Sequence, residues 1–252
     1  MQKNSCKCGA GQDGESEHCL APDDKLKDRR SYRYRLKLTK SGELKFISHL
    51  DWQNLILKSL RRAQVKLALS EGFNPMPKVM YSPALPIFIE SECELVNFIT
   101  TEPLEENFKE IFQNCINKNV KVIDLQKIPT GEKRMESLDV LVQWAKYQAI
   151  PYKNEGIFNL ENLRYTVNKV LSDDDLFIKK VNKKGIEKNI NYRDSLRSLE
   201  LTDNSVIFVL KTGQDDNIPS LRADELVKAC FQDEKAFAIK RTHLFDKDLK
   251  VL

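Results

Sequence analysis

Between Ser48 and Glu92 the chain brings together a histidine, paired arginines, a lysine, an aromatic ring and a proline-braced turn. His49 stands where a helix would begin, so its imidazole could donate to an anion or move a proton, with Asp51 as the carboxylate that orients it. A helix N-terminus would disfavour the protonated ring. The plainer role of both is structural: Ser48-His49-Leu50-Asp51 has the S-x-x-D form of a helix N-cap, and an imidazole at that position packs against backbone. Farther on, Ser70, Asn74 and Lys78 surround Gly72-Phe73-Asn74-Pro75-Met76-Pro77. Each proline fixes its own backbone and restricts its predecessor, so exposed amides in a loop of fixed shape could cradle a phosphate. Arg61 and Arg62 could approach that loop, and Phe73 beside these cations is the mixture with which single-stranded nucleic acid is stacked and neutralised. The structural alternative is a rigid turn with Phe73 plugging a core.

A second group of possible ligands lies near the start. Cys6, Cys8, His18 and Cys19 could supply sulfur and nitrogen to a zinc ion, although the spacing is not that of a standard finger and no apolar residues build a core around it. Free thiols are the simpler reading there. Cys93, Cys115 and Cys230 fall in expected strands or helices, where packing is their default role. Absent are G-x-x-x-x-G-K, G-x-G-x-x-G after a strand, H-E-x-x-H, G-x-S-x-G and the C-x-x-x-C-x-x-C of an iron–sulfur cluster. Nucleotide hydrolysis, dehydrogenation, zincin proteolysis and hydrolase chemistry lose their usual signatures, which points to a binding surface ahead of a self-sufficient catalyst.

A chain of 252 residues reaches the length at which one core divides into two. No apolar run approaches the ~20 residues that span a bilayer, so no membrane is expected. Met1 to Asp13 lacks the apolar stretch of a secretory leader, and six scattered cysteines suit a reducing cytoplasm. Net charge is only +4, but basic residues gather at Lys58-Arg61-Arg62, at Lys179 to Lys188 and at Lys240-Arg241. Any one of these clusters is equally well a solvated surface or a phosphate contact.

The elements that would position these residues follow from period. Residues 1–30 are nearly empty of large apolar side chains and read as a disordered, cysteine-containing tail. Tyr32, Tyr34, Leu36 and Leu38 alternate with basic residues, a half-buried strand. A helix from Ser48 carries Trp52, Leu55, Ile56, Leu60 and Ala63 on one face, with Lys58, Arg61 and Arg62 on another. Strands are expected at Val65–Leu69, Val79–Ser82, Glu92–Thr100 and Val120–Gln126, with a helix near Glu105–Asn117. That order is the split βαβ of a ferredoxin-like lobe over 31–129. The polar stretch Pro129–Glu136 marks a boundary, and 130–252 repeats the order: a strand at Val140–Ile150, a helix at Leu160–Leu171, a hairpin of Phe177–Val181 with Ile186–Ile190, a strand at Ser205–Leu210, a helix at Ala223–Phe231 and a strand at Ala236–Ile239. The expected fold is α+β, two tandem ferredoxin-like (βαββαβ) lobes.

The runs Lys45-Phe46-Ile47-Ser48-His49-Leu50-Asp51, Leu60-Arg61-Arg62-Ala63, Ser70-Glu71-Gly72-Phe73-Asn74-Pro75, Pro77-Lys78 and Leu85-Pro86 through Glu90-Ser91 resemble the radical SAM-linked protein family, a bacterial domain of unknown function adjacent or fused to radical SAM proteins. The likeness continues through Lys183-Lys184-Gly185, Thr212-Gly213 and Arg222-Ala223-Asp224-Glu225-Leu226. Two residues depart from the pattern: Met76 where a histidine is common, and Phe88 where a glycine is common. The resemblance implies an accessory protein with a radical SAM partner and an RNA or ribosome-related substrate, and no cofactor in this chain beyond a possible zinc in the tail. Three roles follow: an RNA-recognising accessory module, a metal-independent RNA-processing or transfer enzyme using His49, and a pure protein-interaction scaffold.

Overall fold

Alternating apolar and basic residues make β1 (Tyr32–Lys40), whose inward residues Tyr34, Leu36 and Leu38 are buried. The computed structural model describes residues 31–129, 135–152, 160–181, 185–214, 217–231 and 236–252. After a short 3-10 turn comes α1 (His49–Arg62), started by Ser48, whose hydroxyl accepts the Asp51 amide, and ended at Ala63 with Arg61 and Arg62 in the last turn. Cations there complement the carbonyl end of the helix dipole. β2 (Val79–Tyr81), β3 (Glu90–Thr100), α2 (Phe108–Cys115) and β4 (Val122–Ile128) complete the first half. Its strands lie in the order β4-β1-β3-β2, with every pairing antiparallel. Trp52, Ile56 and Leu60 of α1 and Phe108 and Phe112 of α2 share one core with Tyr34, Leu36, Leu38, Val96 and Phe98. Both helices therefore cover the same face of the sheet.

Val65–Leu69 is not the continuous strand that its composition predicts. It makes isolated bridges, Leu67 to Thr100 and Leu69 to Pro77, because it must leave the sheet to form the proline loop.

The second half contains α3 (Leu138–Leu141), β5 (Trp144–Pro151), α4 (Leu160–Ser172), β6 (Phe177–Val181), β7 (Glu187–Asn191), β8 (Leu196–Leu201), β9 (Val206–Lys211), α5 (Ala223–Phe231) and β10 (Phe237–Phe245). Four of its strands run in the order β10-β5-β9-β8, again all antiparallel. Two expectations need correction. The start of the expected strand Val140–Ile150 is helical, since Ser137 caps α3 by accepting the Asp139 amide. The β6–β7 hairpin forms its own two-stranded sheet, and β8 takes the place in the main sheet. A register shift between Leu196 and Ser198 breaks the period of β8, which hid it from a period-2 reading.

The halves join where β10 pairs with β3, Lys240 opposite Glu90 and Arg241 opposite Ser91, in parallel. The product is a mixed α+β fold around a large, mostly antiparallel sheet with α1 to α5 among the described residues. Leu85, Ile89, Cys93 and Leu95 of the first half sit in the core of the second. No helix among the described residues is long and apolar enough to cross a membrane. Cys6, Cys8, His18 and Cys19 lie outside the described residues, as do the 1–30 tail and Lys183-Lys184.

Candidate nucleic-acid interface and the ion cluster behind it

The residues singled out along α1 fall at its two ends. Along a fourteen-residue helix rising 1.5 Å per residue, His49 and Asp51 stand roughly 15–20 Å from Arg61 and Arg62. At the first end, Ser48 Oγ donates to Asp51 Oδ2 at 2.7 Å and accepts the Asp51 amide at 3.1 Å. Asp51 is thus engaged in the cap. His49 Nε2 pairs with Gln53 Nε2 at 2.9 Å, and its ring stands edge-on to Tyr81, 6.4 Å between centroids. The Tyr81 hydroxyl in turn donates to the Gln53 carbonyl at 3.2 Å.

At the other end, Arg61 and Arg62 are exposed, and Arg62 Nη2 reaches back to Ser59 Oγ at 3.3 Å. The chain then runs along the end of β3 and leaves it as a closed loop. Ser70 donates its amide to the Met76 carbonyl at 2.7 Å and accepts the Met76 amide on Oγ at 2.9 Å. These two bonds clamp the loop base between Leu69 and Pro77, leaving Glu71 to Met76 exposed. Phe73 at the tip is 100% exposed. It does not plug a core. Lys78, also exposed, fixes the loop to the sheet by donating its amide to the Ala68 carbonyl at 2.8 Å and accepting the Ile99 amide at 3.1 Å. The geometry therefore places Ser70, Phe73, Asn74 and Lys78 on one braced projection, with Arg61 and Arg62 at the helix end that precedes it.

Behind His49 lies a buried ionic group. Arg241 Nη2 donates to Glu94 Oε1 at 2.5 Å and Nη1 to the Pro83 carbonyl at 3.1 Å, while Ser82 Oγ donates to Glu94 Oε2 at 3.2 Å. Arg241 and Glu94 are 0% and 1% exposed. Lys40 is buried too, its ammonium 3.3 Å from the Ile47 carbonyl and 5.8 Å from the Trp52 ring centroid. Burial alone would raise the Glu94 pKa, but Arg241, the Ser91 hydrogen bond and Lys40 together outweigh it and hold the carboxyl below its usual range. Burial would lower the Arg241 pKa, and Glu94, together with Tyr147 and Cys93, turns the net shift upward. Lys40 is lowered by burial, only partly offset by Glu94. Burial also lowers the His49 pKa, with Glu94 opposing and Arg241 and Lys40 adding to the shift, so His49 borders this cluster. Tyr81 is pushed up to about 12 by burial.

A family model spans residues 33–220 of this chain. The chain belongs to the DUF2344 family, uncharacterized proteins conserved in bacteria. No curated protein matches the sequence. The DUF2344 segment contains α1, the Phe73 loop, Lys40 and Glu94, whereas Arg241 lies beyond it. Among the described residues of this DUF2344 protein, no three His, Cys, Asp or Glu side chains gather as metal ligands. Cys93, Cys115 and Cys230 are free thiols, and burial pushes Cys93 up to about 11 and Cys230 up to about 12.

Sequence reading missed the buried group and one surface feature. Arg241 looked like half of a basic surface cluster; in fact Lys240 is the surface member, paired with Glu92 at 2.9 Å. The available signal was Glu94 itself, a charge inside the apolar run Cys93 to Ile99. The surface feature is an apolar patch: Phe46, Leu50, Ile87 and Phe88 are all exposed, and the Phe46 and Phe88 rings meet edge to face at 5.6 Å. Phe88 has φ +73°, a backbone that favours glycine. Phe88→Gly is accordingly expected to raise stability by about 1 kcal/mol through relief of that strain. A urea midpoint that falls would contradict it.

Proposed function

We propose that this protein is an accessory module of the bacterial cytoplasm that recognises RNA or a ribonucleoprotein for a radical SAM enzyme. The observation that carries the RNA part is Phe73, a wholly exposed aromatic ring at the tip of a loop closed by two Ser70–Met76 hydrogen bonds. A large ring held out in water by a braced loop has no packing role to explain it, and stacking on a base would cover it. Asn74 and Lys78 on the same projection, with Arg61 and Arg62 at the preceding helix end, supply amide and cationic contacts to bases and phosphates. The radical SAM partner rests on the sequence resemblance alone. The strand orders β4-β1-β3-β2 and β10-β5-β9-β8 support reading each half as ferredoxin-like, the second with the β6–β7 hairpin inserted.

The exposed Phe46–Phe88 patch favours a complementary protein contact at the opposite end of α1, where the partner enzyme would dock. The RNA reading is tested by titrating labelled single-stranded RNA against wild type and Arg61→Ala/Arg62→Ala over a salt series. Each lost phosphate contact lowers the slope of log K against log salt by about 0.7, so the double variant is expected to lose roughly 1.4. Equal slopes and equal affinities would remove Arg61 and Arg62 from the interface.

A further inference from the structure

Where α1 ends and α2 begins, the chain borders an open hollow of about 370 Å³. That volume falls in the range of roughly 300–1,000 Å³ typical of small-ligand clefts. One wall is the left-handed turn that closes α1: the Gln64 amide donates to the Arg61 carbonyl at 3.0 Å and the Val65 amide to the Leu60 carbonyl at 3.1 Å, with Gln64 at φ +58°. Val65 packs against the core of the first half, and Lys66 stays exposed. On the other wall Phe108 is buried in that same core and Leu104 packs against it, the Leu104 amide held by the Tyr34 hydroxyl at 3.0 Å. The inner side of the hollow is therefore apolar and fixed in place.

Its rim carries charges of both signs. Arg62, Lys66, Glu102 and Glu105 line the hollow and all four are exposed. Among the described residues none of them forms an ion pair, and the side chains of Lys66, Glu102 and Glu105 make no hydrogen bond. Arg62 uses only Nη2, on Ser59 Oγ at 3.3 Å. Cations and carboxylates held apart around one hollow with an apolar inner side suit a ligand that has an anion, a hydrogen-bond donor and a flat apolar body. A nucleotide unit has all three: phosphates for the cations, an amino group on the base for a carboxylate, and the base plane between them. The position fits as well, because Arg62 and its neighbour Arg61 sit at the helix end that leads to the Phe73 loop.

We propose that this hollow receives one unstacked base of the bound RNA and selects it for an exocyclic amine, which donates to Glu102 or Glu105 while Arg62 and Lys66 hold the flanking phosphates. This rests on the RNA reading above and deepens it from charge recognition to base selection. Cytosine presents an amino group at its fourth ring position, and a carboxylate accepts from it. Uracil has a carbonyl there, whose oxygen a carboxylate repels. Only an unpaired base can enter, since pairing would occupy that same edge.

The test uses the full chain with labelled oligocytidine and oligouridine of about 12 nucleotides, a length within the range of one single-strand site. Affinities for both are measured for wild type, Glu102→Gln/Glu105→Gln and Lys66→Gln, with urea midpoints to confirm folding. Wild type is expected to bind oligocytidine roughly 5- to 150-fold more tightly than oligouridine, the span of one well-made base-edge contact. In the double glutamine variant that ratio should fall close to one, because an amide can turn its donor toward the uracil carbonyl. Removing two negative charges raises affinity for both RNAs alike, so the ratio reads base selection and not overall charge. Lys66→Gln should keep the ratio and lower the salt slope by about 0.7, one single-strand phosphate contact. Equal wild-type affinities, or a preference that survives the double variant, would overturn base selection here, while an Arg61/Arg62 effect would leave the RNA reading standing. No binding of either oligonucleotide at low salt would overturn both. Binding of free leucine by wild type, lost in the double variant, would give the hollow to a zwitterionic amino acid and so overturn the proposal.

Discussion

Replacing Arg241 by methionine is expected to lower the stability of the chain by about 3–5 kcal/mol, the usual cost of stranding one member of a buried ion pair. Glu94 would keep Ser82 Oγ at 3.2 Å but lose the guanidinium that holds it ionised inside the junction of β3 and β10. The Pro83 carbonyl would lose its donor in the same step. Glu94→Met alone should be comparably damaging, because it leaves both Arg241 and Lys40 as buried cations without a carboxylate. The informative variant is the double. With both charges gone, an apolar pair of similar length avoids the stranded charge, so Glu94→Met/Arg241→Met is expected to cost clearly less than the sum of the single changes. Urea unfolding reads this directly as a shift of midpoint at constant slope. Additive losses would show that the two side chains do not act as a pair.

Gly213→Ala should be damaging for a different reason. A Cβ at Gly213 would stand 2.1 Å from the Val142 carbonyl oxygen and 3.0 Å from Gln143 Cα, both backbone atoms. Neither can yield easily, since the Thr212 and Gly213 amides donate to the Gln143 carbonyl at 3.0 and 3.3 Å and hold the two segments together. The Lys211 ammonium donates to the Gln143 side chain beneath them. An added methyl must push β9 and β5 apart at their paired ends, Lys211 and Trp144, so a loss of about 3 kcal/mol or more is expected. An unchanged urea midpoint would mean that this close approach relaxes freely.

Strand and helix periods made much of this molecule legible before any coordinates. The alternation at Tyr32 to Leu38 announced β1 together with its basic second side, and Ser48 announced the start of α1. What stayed hidden depends on contacts distant in sequence. Arg241 reads as a surface cation beside Lys240 until Glu94 and Pro83, about 150 residues earlier, are folded against it. Local irregularity hid the rest: a register shift masked β8, and a capped helical turn replaced the beginning of the strand expected at Val140. The candidate site shows both effects. Its residues were found by type, yet spacing could not reveal that α1 separates His49 from the arginines, nor that Ser70 would clamp the loop and leave Phe73 outside.

Phe73 is where an RNA-binding role stands or falls. The decisive measurement is the equilibrium affinity of a labelled single-stranded RNA for wild type and Phe73→Ala at one low salt concentration, with folding verified for both. Loss of one base-stacking ring is expected to weaken binding by about 1–3 kcal/mol, or roughly 5- to 150-fold. Indistinguishable affinities, or no binding by the wild-type chain, would contradict RNA recognition by this loop.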